Sequence, residues 1–223
     1  MAQGLIHAQF SNESEASLVS AGGNTESELF NLLTKNMYKL ETSSISLGGH
    51  YTFGKANDEI NARNWDVNLK YSHVLFKSFD WFFSEKVEGD RFMGFEIRYN
   101  TDLGIAHKFY ESEKLKSHYD IGFRYLVQDN VDGTYDHENR LRFAPALTYE
   151  LQKGTDLGGE LEYLYDFEDG KDYFINFEAF LISKFYKNFS IKLGYKSTYR
   201  NIPIIEGNKN YDYTYSTALL AKL

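Results

Sequence analysis

An alternation of greasy and polar residues, with a period of two, runs through almost the whole chain and leaves few folds open to it. Tyr211 to Leu223 shows it cleanly. Tyr211, Tyr213, Tyr215, Thr217, Leu219, Ala221 and Leu223 form one set, and Asp212, Thr214, Ser216, Ala218, Leu220 and Lys222 the other. A strand sends alternate side chains to opposite faces, so one face is aromatic and aliphatic and the other carries both charges. The tyrosines gather at one end and the aliphatic residues at the other. That is the pattern of a strand that crosses a bilayer in a closed barrel, with an aromatic girdle, an apolar band and a polar interior.

The same pattern recurs upstream. The third strand sets Ile45, Leu47, Tyr51 and Phe53 against Ser44, Ser46, His50 and Thr52. The sixth sets Phe95, Ile97, Tyr99, Leu103 and Ile105 against Glu96, Arg98, Asn100 and Asp102. The eleventh sets Phe189, Ile191, Leu193, Tyr195 and Tyr199 against Ser190, Lys192, Lys196 and Arg200. The period and its turn signals predict about twelve strands, the first from about Glu13 to Ala21. In the third, fourth and sixth to twelfth, no Asp, Glu, Lys or Arg falls on the apolar face. A Lys or Arg facing lipid at mid-bilayer costs about 2–4 kcal/mol, which explains such a bias. A soluble sandwich also hides charge from its core. These strands, however, run well past the ~5–6 residues usual in soluble sheets and reach the ~9–11 of a tilted membrane crossing. Glu85 is the exception, expected at the membrane rim or after a bulge.

Composition supports the β assignment: aromatic residues make up 17% of 223 residues, with 2 prolines and no cysteine. A mean hydropathy of −0.50 and the lack of a long apolar run exclude a transmembrane helix, but not a barrel whose lumen face is polar. Connections near Lys39–Thr42, Lys77–Ser78, Tyr110–Lys114, Gln152–Gly154 and Tyr186–Lys187 are short. Those between include the longer Gly54–Ala62, Glu88–Gly94, Asp129–His137 and Asn201–Asn210. That asymmetry matches periplasmic turns and extracellular loops. Gly22-Gly23-Asn24 reads as a tight turn. The expected organisation is a tail over residues 1–12 and a barrel over 13–223. No secretory signal is visible at Met1–Phe10, so an exported form would have lost its leader and Met1 would be an expression start.

Two groups of residues carry a resemblance. Ser20-Ala21-Gly22-Gly23-Asn24-Thr25 resembles the Gly-Asn-Thr turn near the start of the YdiY-like family of salt-induced outer-membrane proteins. Trp81-Phe82-Phe83, then Glu88-Gly89-Asp90-Arg91-Phe92, Ile97-Arg98 and Asp102-Leu103-Gly104, is similar to that family's central segment, although Ala106 and His107 stand where the family usually has a second Gly and an aromatic. The resemblance implies an outer-membrane barrel and carries over no catalytic residue.

The charged faces supply the candidate site. Asp156, Glu160, Glu162 and Asp166 form an acidic stripe on the ninth strand. Arg140 and Arg142 stand on the eighth, Lys192 and Lys196 on the eleventh, Glu178 on the tenth, Arg98 and Asp102 on the sixth, and Arg124 on the seventh. All are expected to line the lumen. Counting back through the turns places Arg142 near Asp166, and Glu178 diagonal to Lys192 and Lys196. The stripe is either an ion or solute path or a self-paired filling, since twelve strands leave little room and wide channels open near 16. Inward glycines Gly48, Gly104, Gly122, Gly158 and Gly194 either make space, for a pore or for large neighbours, or let the sheet bend; bending is the expected role.

Other classes find less support. No His has a Ser two residues away on its strand face, so a lipase-like pair is not apparent and a non-enzyme is expected. No His-x-His or Asp-x-Asp-x-Asp-Gly loop suggests a metal or cofactor. A net charge of −8 without a basic stripe argues against nucleic acid. A lipid-modifying enzyme and a soluble lipid-binding barrel stay as alternatives. The expected protein is a single closed antiparallel transmembrane β-barrel in a Gram-negative outer membrane, polar inside and apolar outside. Its partners would be outer-membrane lipid, the barrel-assembly machinery, whose signal the last strand resembles except at Leu223, and ions or small solutes.

Overall fold

The computed structural model describes residues 9–21, 27–203, 207 and 209–223. Twelve strands follow one another: β1 (Gln9–Ala21), β2 (Ser27–Lys39), β3 (Ser43–Ala56), β4 (Glu59–Phe76), β5 (Phe79–Asp90), β6 (Phe95–Glu111), β7 (Leu115–Asn130), β8 (Tyr135–Gln152), β9 (Thr155–Asp166), β10 (Tyr173–Tyr186), β11 (Phe189–Arg200) and β12 (Tyr211–Lys222). Each pairs antiparallel with its sequence neighbour, and β1 pairs with β12 to close a barrel. The expected fold class holds. The expected turn at Gly22–Asn24 lies outside the described residues.

Orientation follows from exposure. Leu47, Leu69, Leu103, Leu147, Ile191 and Leu219 are exposed on the outer face. Their strand neighbours Phe82, Leu126, Leu164, Asp102, Asp120 and Arg140 are buried inside. Tyr195, Tyr211, Tyr213 and Tyr215 pack edge to edge on the outside near the long-loop end, as a girdle at a membrane interface. The hydroxyls of Tyr195 and Tyr211 are hydrogen-bonded there.

Several local expectations are corrected. β1 begins at Gln9, so residues 9–12 belong to the strand rather than to a tail. The expected loop Gly54–Ala62 is mostly strand, and β3 turns into β4 through Asn57 and Asp58, both at positive φ (51° and 65°). Likewise β5 and β6 are joined only by 91–94, and β7 and β8 by 131–134. The reason is physical: beyond the bilayer both faces meet water, so the apolar alternation fades while the backbone ladder continues. Phe95 points inward at 2% exposure, because a bulge between Phe95 and Ile97 breaks the alternation. Glu85 is neither at the rim nor after a bulge. It sits mid-strand on the outer face, opposite Leu69 and Thr101, and its carboxylate accepts a hydrogen bond from Thr101 Oγ1 at 2.7 Å.

At Gly48, Gly158 and Gly194 the inward glycine makes room for a side chain, while at Gly104 and Gly122 it lets two backbones approach closely. A Cβ on Gly104 would collide with the Ile121 carbonyl and come 2.8 Å from Phe82 Cζ, and one on Gly158 would collide with the Phe180 ring. Gly104 and Gly122 stand opposite one another, and Gly104 also leaves room for the Phe82 ring. Large side chains from one strand occupy the space that glycine leaves on another.

Candidate functional site

Among the described residues, the charged residues expected to line the lumen fall into three groups. The central one is built on β6, β7, β8 and β9. Arg124 makes a fork onto Asp102, with Nε to Oδ1 at 2.6 Å and Nη2 to Oδ2 at 2.9 Å. Its Nη2 also reaches Glu162 at 3.0 Å. Arg142 Nε donates to the same Glu162 oxygen at 2.7 Å, and its Nη1 lies 3.4 Å from Asp120. Lys70, on β4, crosses the interior to Asp120 at 2.6 Å. The Phe82 ring lies between them, 4.2 Å below Lys70 Nζ and 6.0 Å from the Arg142 guanidinium. A contact from β4 to β7 is a chord across the barrel, since β5 and β6 stand between them in the wall.

The second group lies nearer the long loops. Arg140, 0% exposed, has its Nη2 2.6 Å from Glu138, 2.6 Å from Asp172 and 3.4 Å from Asp166. Arg200 reaches Asp172 at 3.0 Å and Glu138 at 3.7 Å. Carboxylate oxygens of Glu138, Asp166 and Asp172 lie within 4.8 Å of one another, close enough to hold a cation. The Arg140 guanidinium already stands there. Arg98 donates through Nε to Gln128 at 2.9 Å and lies 3.5 Å from Glu88. Three buried donors, Arg98 Nη2 and Arg200 Nε and Nη1, have no hydrogen-bond partner among the described residues. Each guanidinium faces an aromatic ring instead: Arg98 is 3.7 Å from Phe95, and Arg200 is 4.1 Å from Phe174, whose ring also lies 4.5 Å from Arg140. Cation–π attraction takes up part of what those donors lack.

The third group is looser. Lys192 bridges Glu15 of β1 at 2.8 Å and Glu178 at 2.9 Å. Glu178 also meets Lys196 at 3.5 Å, directly opposite it in register rather than diagonal. Lys196 is half-exposed, and Glu160 and Lys35 are exposed although they share the inward parity. Glu160 stands opposite Ala146 and Glu178 and forms no ion pair among the described residues.

The expected neighbour of Arg142 proves to be two residues off. Asp166 is opposite Arg140, while Arg142 is opposite Leu164; a bulge between Glu150 and Gln152 accounts for one residue of that offset. Sequence reasoning missed Lys70 and Asp120, which meet across the barrel from β4 to β7, and Asp172, which lies in the connection between β9 and β10. It also missed Ser43 and His73, opposite one another on β3 and β4, with Ser43 Oγ 2.8 Å from His73 Nδ1 and 3.2 Å from the Tyr71 hydroxyl. Spacing along one strand does not show a pair made across two. His73 has no carboxylate partner among the described residues, so the pair lacks the third group that would orient a base.

At the long-loop mouth, Phe92 and Met93 of the β5–β6 turn share a recess of about 210 Å³ with Thr198, Arg200, Pro203, Lys209, Asn210 and Asp212 from the opposite side.

Comparison with known proteins gives the fold and a family. A model described as a protein of unknown function, DUF481, matches residues 14–223. No protein of curated function matches the sequence. The NanC porin is similar in structure, with a TM-score of 0.57 at 9% identity over 95% of this chain and 97% of that one. An outer membrane channel from Pseudomonas putida F1 gives 0.55 at 12% identity, over 100% and 97%. The KdgM porin gives 0.50 at 14% identity, over 96% and 98%.

Proposed function

The chain belongs to the DUF481 family, and from that premise we propose that it is an outer-membrane channel of low conductance for ions or small solutes. Its porin-like architecture supports the membrane and the compartment. One observation carries the permeation reading. The lumen is lopsided: Arg124, Arg140, Arg142 and their carboxylates are locked together along β6 to β9, while Lys35 on β2 and Lys196 on β11 face inward and stay solvated on the opposite arc, with the exposed Glu160 of β9 at the border between the two. Fixed charges that keep their water beside an occupied wall leave a thin, off-centre aqueous path. No catalytic constellation is assigned, and the reading is that of a non-enzyme. Arg98, Asp102 and Asp166 shape the path by filling the far side. The YdiY-like resemblance adds expression raised by salt, measured as transcript level at high osmolarity. Folding by the barrel-assembly machinery and contact with outer-membrane lipid belong to the same proposal.

Planar-bilayer recording tests it. The purified protein gives discrete currents well below those of wide porins. Glu160→Gln shifts selectivity toward anions, and Lys196→Gln shifts it toward cations. Silence above background overturns the channel. It would favour a second reading, a structural envelope barrel with a plugged lumen, which the 0% exposure of Arg140 and Phe82 supports.

A further inference from the structure

Between most neighbouring strands the ladder runs nearly the full length, but the β1–β12 seam is different. β1 matches β2 from Gln9↔Lys39 to Ala21↔Ser27, and β11 matches β12 from Phe189↔Ala221 to Tyr199↔Tyr211. Across the seam the register holds only from Glu13↔Lys222 to Ala16↔Leu219, and the mutual bonds of Asn12 and Leu223 add one rung. Among the described residues, no rung joins Ser17–Val19 to the facing part of β12. The ladder stops on the half nearer the long loops, below the tyrosine girdle.

Unpaired backbone does not persist in hydrocarbon. At membrane depth it survives only where it is buried in protein or lines a watery cavity. The flanking side chains fit an opening with an apolar outside and a polar inside. Leu18 and Tyr215, 72% and 73% exposed, stand on the outer lips. Small residues stand behind them: Ser17, whose buried hydroxyl has no partner among the described residues, Ser216, and Gly194, where a Cβ would come 2.7 Å from Ser216 Oγ. Lys196 lies opposite Thr214 of β12, half-exposed inside the barrel.

We propose that the wedge between β1 and β12 is a lateral opening for a phospholipid-like amphiphile, its acyl chain passing between Leu18 and Tyr215 and its phosphate head drawn toward Lys196. The opening goes beyond ion permeation and stands whether or not the lumen conducts. A tryptophan at Ser216 reports on it, in a chain whose two native tryptophans are replaced (Trp65→Phe, Trp81→Phe). The probe is quenching by vesicles of phosphatidylglycerol brominated on its acyl chains. Ser216→Trp is quenched at least twofold more than Glu160→Trp, an inward position on a fully paired strand. Lys196→Gln reduces that difference. Ser17→Cys with Ala218→Cys, oxidised to close the wedge, abolishes it, and the chain has no native cysteine to compete. Equal quenching of the two reporters in protein that shifts on a gel when boiled, as an intact barrel does, overturns the opening. A detergent-stable dimer with an unquenched Ser216→Trp reporter would assign the free edges to a second copy and overturn it as well.

Discussion

Arg140 shows how a buried charge is tolerated inside a narrow barrel. It is fully enclosed, and three carboxylates surround one end of its guanidinium. Breaking such a pair by removing one partner usually costs about 3–5 kcal/mol, because the remaining charges stay buried and unpaired. Arg140→Ala therefore lowers the denaturation midpoint sharply. It also leaves Glu138, Asp166 and Asp172 with oxygens within 4.8 Å of one another and Arg200 as their nearest cation. Oxygen-only clusters suit calcium. The variant should regain part of its stability in millimolar calcium while the parent does not, as titration of the unfolding midpoint would show; no calcium effect on the variant would count against the geometry. Glu85 is the opposite case, a carboxylate on the outer face whose partner is a single threonine hydroxyl.

Among the elements, the strands were legible in the sequence because lipid on one side and water on the other impose a strict period of two. Strand ends were not, since that contrast disappears outside the bilayer while pairing continues, as at Asn57–Asp58. Register was legible only to within a residue or two: the bulge near Gln152 has no signature that alternation reveals, and it supplies one residue of the offset that puts Asp166 opposite Arg140 rather than Arg142. The glycines misled for a related reason. A small residue inside a barrel signals that something is close, and only the neighbouring strand says what. Gly158 faces Phe180, so Gly158→Val costs about 1–3 kcal/mol by overpacking. Phe180→Ala in the same chain should recover most of that loss, a coupling that urea unfolding of the single and double variants measures. Additive losses would mean that the ring is not what the glycine accommodates.

For the whole molecule, the shared parity of the charged residues was legible and the closure of the barrel was not. Charges on one parity must share the interior, which is why Arg98, Glu162, Glu178 and Lys192 all find partners there. Nothing in the alternation tells how many rungs join the first strand to the last. The short seam makes that junction the weakest line in the wall. Hydrogen exchange should therefore release amides at Ser17–Val19 and Ser216–Ala218 well before those of β6 and β7, which are paired along nearly their whole length. Uniform protection around the barrel would contradict this.

The uneven interior divides labour between two arcs. The knitted arc from β4 to β9 keeps the cylinder round, because Lys70 to Asp120 and Arg124 to Glu162 tie strands that do not touch in the wall. The arc carrying Lys35 and Lys196 has few such ties, so its side chains are free to change without slackening the frame. Substitution at Lys35 or Lys196 thus alters the lining while the brace on the other arc stays in place.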